Sequence, residues 1–180
     1  MSLFVDKSAD VAVGCISSLL LNFPLFADSF QSKEWTWGTS EGGYYYAATS
    51  NSAGNTFGQY CYFESATCVY LVGLGTTCDA GSEYPALINS DAGAVHVTLA
   101  CGSKVFNQQV YGVKAFDDVD RIIRNATRMG IVIPLQGDEF KVSRFGLAGS
   151  TYAIDLIRTA TEAKIQREPV NASKPVEERI

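Results

Sequence analysis

The sequence predicts a mainly β protein of the α+β kind: an antiparallel β-sandwich or an open, barrel-like sheet with two C-terminal helices packed on it. Three observations carry this expectation. Between Trp35 and Lys114 apolar and polar positions alternate, and Tyr, Phe, Val and Thr are plentiful, as in strands. Runs of Gly, Asn, Asp and Ser punctuate that region as turns. After Asp117, and again after Ser150, the apolar period lengthens to that of an amphipathic helix.

Taken in order, Trp35-Thr36-Trp37 suggests the first strand and Tyr44–Ala48 the second, ended by the turn run Thr49–Asn55. A hairpin follows. If Phe63-Glu64-Ser65-Ala66 close it, residue 61 faces 68. Directly opposed residues have Cβ atoms roughly 4.5–5.5 Å apart, which suits a disulfide between Cys61 and Cys68. Glu64-Ser65 makes a poor two-residue turn, since neither favours positive φ, so a four-residue loop is expected. Phe57, Gln59, Cys61 and Phe63 then share one face with Cys68, Tyr70, Val72 and Leu74, and Tyr60, Tyr62, Val69 and Leu71 share the other. Two apolar faces imply central strands covered on both sides.

Tyr84–Ile88 reads as a short edge strand, because Pro85 cannot donate to a ladder. Val95, Val97, Leu99 and Cys101 lie on one face of the next strand, so Cys101 points with the apolar set. Lys104–Lys114 contains a more polar strand expected nearer an edge. In Asp117–Gly130 the positions Val119, Ile122, Ile123 and Ala126 have helical spacing, acids open the segment, and Gly130 is the expected stop. Ile131–Pro134 reads as a buried strand and Phe140–Phe145 as another after the turn at Gly137-Asp138. Ser150 or Thr151 can cap a last helix, with Ala153, Ile154, Ile157 and Ala160 as its packing face.

The chain's 180 residues suffice for one domain with a real core, and 47% of them are hydrophobic. Only 18% are charged, and the net charge of −5 with no basic stripe argues against nucleic acid as a partner. Residues 1–27 read as a signal peptide. The apolar run Val11–Phe26 is short for a membrane span, which needs about 20 residues, and suits the core of a leader; the alternative is a buried amphipathic helix. Cleavage would leave no stable transmembrane segment. It would also remove Cys15 and leave an even set, Cys61, Cys68, Cys78 and Cys101, as an oxidising compartment favours. Of three possible connectivities, 61–68 with 78–101 is preferred; the alternative is four free core cysteines. The expected organisation is a leader over 1–27, one disulfide-stabilised β-rich domain over 28–165, and a disordered polar tail over 166–180.

No catalytic, cofactor-binding or metal-binding residue is assigned. His96 is the sole histidine, and no nucleophile or carboxylate is marked beside it. Asp117, Asp118 and Asp120 lie close in sequence but lack the glycine and glutamate of a calcium loop, so their place at a helix start is the simpler account. The loop Gly146–Ser150 either binds an anion through free N–H groups or serves as a cap. Trp35, Trp37, Tyr44, Tyr45 and Tyr46 are either a sugar-stacking platform or core with a few half-buried rings. The expected function is a secreted or periplasmic, non-catalytic binding or envelope-associated domain, its partner an unknown protein or envelope component. The alternatives are a periplasmic hydrolase of glycans using Asp79, Glu83, Asp91 or Asp138, and a small-ligand carrier with a pocket between sheet and helices.

The leader, the tryptophan-containing strand (Trp35, Trp37), the cysteine hairpin CYFESATC and the late segment MGIVIPL followed by FKVSRFGLAGSTYAIDLI resemble the bacterial invasion-associated locus B family and small secreted relatives of unknown function. The resemblance covers roughly residues 35–160. It implies a periplasmic or outer-membrane-associated β-sandwich without known catalysis. The cysteine spacing and the segment GTTC…YPALINSDAG depart from that family's pattern, and no functional residue is carried over from it.

Overall fold

The computed structural model describes residues 29–105, 108–135 and 137–167. The leader expected over 1–27 lies outside the described residues, as do residues 168–180 of the tail expected over 166–180; Gln166 and Arg167 are not tail but the end of the last helix. The strands are β1 (Ser29–Ser32), β2 (Trp35–Ser40), β3 (Tyr44–Ser50), β4 (Thr56–Tyr62), β5 (Thr67–Gly73), β6 (Glu83–Ser90), β7 (Gly93–Val105) and β8 (Gln108–Val113). Helix α1 (Phe116–Asn125), β9 (Arg128–Pro134), β10 (Phe140–Gly146) and α2 (Ser150–Arg167) complete the order. All ten strands join one antiparallel sheet in the order β1-β2-β3-β4-β5-β8-β7-β6-β9-β10. The mainly β, α+β class expected from the sequence is therefore the one found.

The sheet curls until β10 lies across from β2 and β3. Among the described residues no strand ladder closes it there; one backbone bond, from the Glu34 N–H to the Ala148 carbonyl at 3.2 Å, and several side chains do. The Trp35 indole donates to the Gly146 carbonyl at 3.1 Å, the Asn51 amide to the Arg144 carbonyl at 3.1 Å, and the Asn55 amide to the Ser143 hydroxyl at 2.9 Å. The inner face thus becomes the core. It holds Trp35, Phe57, Tyr70, Ile88, Leu99 and Ile131, each without solvent exposure. Val119, Ile122 and Ile123 of α1 fill it from one side, and Ala153, Ile154 and Ile157 of α2 from the other.

Several elements sit differently from the expectation. A short strand, β1, precedes the tryptophan strand; Phe30 in it stacks on Trp37 with ring centres 4.6 Å apart. Strand β6 is interior, between β7 and β9, and tolerates Pro85 because its pairing with β9 begins only at Leu87. Strand β8 is central too. Its apolar half, Val110–Val113, pairs with β5, while Gln108 and Gln109 run on beyond that ladder. Gly130 does not stop α1. The helix ends at Asn125, whose side chain donates to the Arg121 carbonyl at 2.7 Å, and Ala126 is already extended. The Asp91 carboxylate then holds the chain straight by accepting from the Thr127 N–H at 2.9 Å and from the Thr127 hydroxyl. Ser150 does not cap its own helix; its hydroxyl donates to the Ile123 carbonyl at 3.1 Å, satisfying a group that α1 leaves open at its end.

The hairpin register is the expected one: Tyr62 faces Thr67 and Cys61 faces Cys68, around a loop of residues 63–66. Cys61 is bonded to Cys68 with Cα atoms 4.0 Å apart, and Cys78 to Cys101 at 6.1 Å. One expectation fails in an informative way. The inner face of β4 and β5 is buried, but among the described residues no second layer covers the outer one, and Tyr60, Tyr62, Val69 and Leu71 stay half-buried there.

Candidate functional site

Two groups of polar or aromatic side chains stand out. The first is internal. Gln59 is an inward position of β4, flanked by Phe57 and Cys61, and has no solvent exposure. A polar group so placed needs a partner. The Arg158 Nε of α2 supplies one, donating to the Gln59 Oε1 at 2.8 Å. Arg158 also donates to the Asp120 carboxylate of α1 at 2.6 Å, and its guanidinium lies 5.4 Å from the Phe116 ring centre. Asp120 accepts further bonds from the Tyr70 hydroxyl at 2.7 Å and from Arg124 at 2.9 Å, and Arg124 reaches Asp155 at 2.8 Å. The Asp120–Arg158 pair thereby ties β4, β5 and both helices together.

Burial pulls the Asp120 carboxyl up, but the hydrogen bonds from Tyr70, Arg158 and Arg124 outweigh it and hold the carboxyl below its ordinary range. Burial, then the bond to Asp120, pushes the Tyr70 hydroxyl well above its own. A carboxylate with both oxygens taken and a phenol that stays protonated are poorly suited to proton transfer. The cluster is a lock between layers. Asp120→Asn is expected to destabilise the fold by about 2 kcal/mol at neutral pH, because Arg158 loses its counter-charge in a half-buried place and Arg124 keeps only Asp155. The sign with pH follows. A carboxyl depressed in the folded state stabilises above its unfolded pKa of about 3.9 and loses that contribution as pH falls through the lower folded value. Urea titrations of both proteins at pH 7 and near pH 3 should therefore show the gap closing in acid.

The second group is external. The register sets Tyr44 of β3 opposite Tyr62 of β4, and Tyr46 opposite Tyr60. All four rings project from the outer face. Tyr44 lies 5.7 Å from Tyr60 and 5.3 Å from Tyr62, and Tyr46 lies 6.4 Å from Tyr60 in a stacked arrangement. Beside them runs a groove of about 450 Å³ whose rim carries Glu41, Thr56 and Gln108. Among the described residues, none of the four hydroxyls takes part in a protein hydrogen bond. Burial and the neighbouring tyrosines push the Tyr60 hydroxyl up to about 12, so it is a neutral donor and acceptor at any physiological pH. The aromatic cluster expected from sequence is thus divided. Trp35, Trp37 and Tyr45 belong to the inner face, while Tyr44 and Tyr46 join Tyr60 and Tyr62 outside.

The remaining candidates do not assemble. Asp79, Glu83, Asp91 and Asp138 are all exposed, and no two of them line a common groove. Glu83 pairs with Lys114, and Asp91 is committed to the turn before β9. Asp118 pairs with Arg121 at 3.0 Å rather than joining Asp120. His96 is exposed on the outer face of β7, opposite Leu87. The Ala148 N–H of the loop before α2 donates to the Glu34 carboxylate at 3.3 Å, so an internal carboxylate already takes that N–H. Among the described residues no three His, Cys, Asp or Glu side chains are placed to hold a metal ion.

Comparison with known proteins gives the fold a counterpart. No protein-family model matches the chain, and no curated protein does. Among solved structures, invasion associated protein B from Bartonella henselae superposes with a TM-score of 0.54, over 76% of this chain and 99% of that one, at 10% identity. At that identity the likeness is one of fold. It agrees with the family resemblance noted in the sequence at the level of architecture, and it carries no site residues across.

Proposed function

We propose that this chain is a secreted or periplasmic, disulfide-bonded β-rich domain with a non-catalytic binding or envelope-associated role. The observation that carries the reading is the pair of disulfides, 61–68 and 78–101. Such bonds form and persist in oxidising compartments and are rare in the cytosol. The apolar run Val11–Phe26 supplies a leader, which leaves these four as the mature chain's cysteines. Among the described residues no helix is long and apolar enough to cross a membrane.

The non-catalytic part rests on what the polar groups do. The internal cluster is consumed in holding helices to sheet, and the external carboxylates are scattered, which gives the glycan-hydrolase alternative no paired acid and base. The carrier alternative has little support, since the cavity between β1–β3 and α2 measures about 120 Å³ and the larger space of about 620 Å³ between the β4–β5 hairpin and the two helices is a broad, open depression rather than an enclosed pocket. The outer face of β2–β4 offers a surface for a partner, a protein or an envelope component. The test is export: intact mass of the protein recovered from the periplasm or medium of a bacterial host. The expected species lacks residues 1–27 and carries two disulfides. A cytosolic protein with Met1 intact and four alkylatable thiols would overturn the reading.

A further inference from the structure

The groove on the outer face combines features that point to one kind of occupant. Its walls are aromatic and its floor is small. Ala48 lines it, and Gly58, paired with Ala48 across the ladder, has backbone where a Cβ would strike the Ala47 carbonyl and Ala48. Gly73 does similar service for Gln108. A Cβ at Gly73 would come within 2.8 Å of the Gln108 Cδ and of the Thr56 hydroxyl, so only glycine lets that side chain lie across the strand. The Gln108 amide is itself held loosely, at 3.5 Å from the Thr56 hydroxyl and 3.4 Å from the Gly54 carbonyl. It remains open to a better partner.

The lining also excludes occupants. Among the described residues that line it, Glu41 is the one ionised side chain, so phosphates, uronates and nucleic acids are disfavoured there. An acyl chain would cover the Gln108 amide and the tyrosine hydroxyls without giving them partners, which is unfavourable for each group left unsatisfied. A flat, uncharged ligand with one apolar face and a hydroxylated rim satisfies both. Its apolar face lies on tyrosine rings, which offer an apolar body and a wet tip. Its hydroxyls find the planar donors and acceptors of Glu41 and Gln108. A volume of about 450 Å³ is in the ordinary range for small-ligand sites.

We propose that this groove binds uncharged sugar chains, with the rings laid against Tyr46 and Tyr60 and their hydroxyls bonded to Glu41 and Gln108. The proposal rests on the binding role inferred above and gives it a ligand class. The experiment is calorimetric titration of the exported, disulfide-intact protein with a neutral tetrasaccharide of glucose and with one of N-acetylglucosamine. Decanoate and a sulfated tetrasaccharide serve as apolar and anionic comparisons, and light scattering follows self-association. The expected result is saturable binding of a neutral tetrasaccharide, weakened at least tenfold by Tyr46→Ala and severalfold by Glu41→Gln, with the comparisons inert. Tyr60→Ala is expected to act like Tyr46→Ala. Should its loss of a half-buried ring unfold the chain, the other two variants still decide. Binding that survives Tyr46→Ala, binding of decanoate instead, or a Tyr46-dependent dimer with no sugar bound would overturn the proposal. So would silence towards both neutral tetrasaccharides. In that last case an exported protein with both disulfides leaves the binding role standing, whereas free thiols in a cytosolic protein remove that role itself.

Discussion

Opening both disulfides is expected to cost this protein most of its stability. On the chain-entropy account, the bond closing Cys61 to Cys68, seven residues apart, contributes about 2.5 kcal/mol. The bond from Cys78 to Cys101, 23 apart, contributes about 3.5 kcal/mol. Their sum of about 6 kcal/mol falls within the whole stability of an ordinary domain, about 5–15 kcal/mol. For a chain of this size it corresponds to a fall in Tm of about 12 to 24 °C. The two bonds should also rank. Cys78 stands in the coil between β5 and β6, where the Gly81 N–H to Cys101 carbonyl bond at 3.0 Å and the Cys101 N–H to Ser82 carbonyl bond at 2.8 Å assist it. Replacing that pair by serine frees a long segment. Replacing Cys61 and Cys68 frees only a hairpin that seven ladder pairs already hold. Thermal unfolding with and without reductant, and of the two double-serine variants, measures both the size and the order.

Phe57→Ala should be the most damaging single change, at about 4 kcal/mol. Phe57 has no solvent exposure and sits where the curled sheet meets itself. It stacks on Tyr70 with ring centres 5.7 Å apart, meets Trp35 edge-on at 6.2 Å and Phe145 at 5.8 Å. Those partners come from β5, β2 and β10, so the cavity left by truncation lies between layers that cannot all close on it. Phe57→Leu, which keeps most of the volume, should cost about half as much. Urea unfolding gives both values, and an unchanged slope would show that the unfolded reference is the same.

The parts of this architecture visible in the sequence were those fixed by local rules. A period of two placed Phe57, Gln59 and Cys61 on one face and Tyr60 and Tyr62 on the other, and the loop 63–66 then set 61 opposite 68. What escaped was non-local. The interior position of β6 despite Pro85, and of β8 despite its glutamines, depends on where each ladder begins, and composition does not report that. Gly130 looked like a helix stop because the tether that straightens the chain, Asp91, lies 36 residues away from Thr127. The Asp120 lock left one trace, a glutamine at an inward position of an apolar strand, without naming Arg158 as its partner. The tyrosine face was half visible. Tyr44-Tyr45-Tyr46 places a ring on both sides of any strand, and only the β3–β4 register shows which two join Tyr60 and Tyr62 outside.

The most direct test of a body pinned by sulfur and made outside the cytosol is non-reducing peptide mapping of the exported chain. The expected result is two crosslinked peptide pairs, one joining Cys61 to Cys68 and the other Cys78 to Cys101, with no free thiol. Alkylation of these cysteines without prior reduction, or a crosslink between Cys61 or Cys68 and either of the other two, would contradict it.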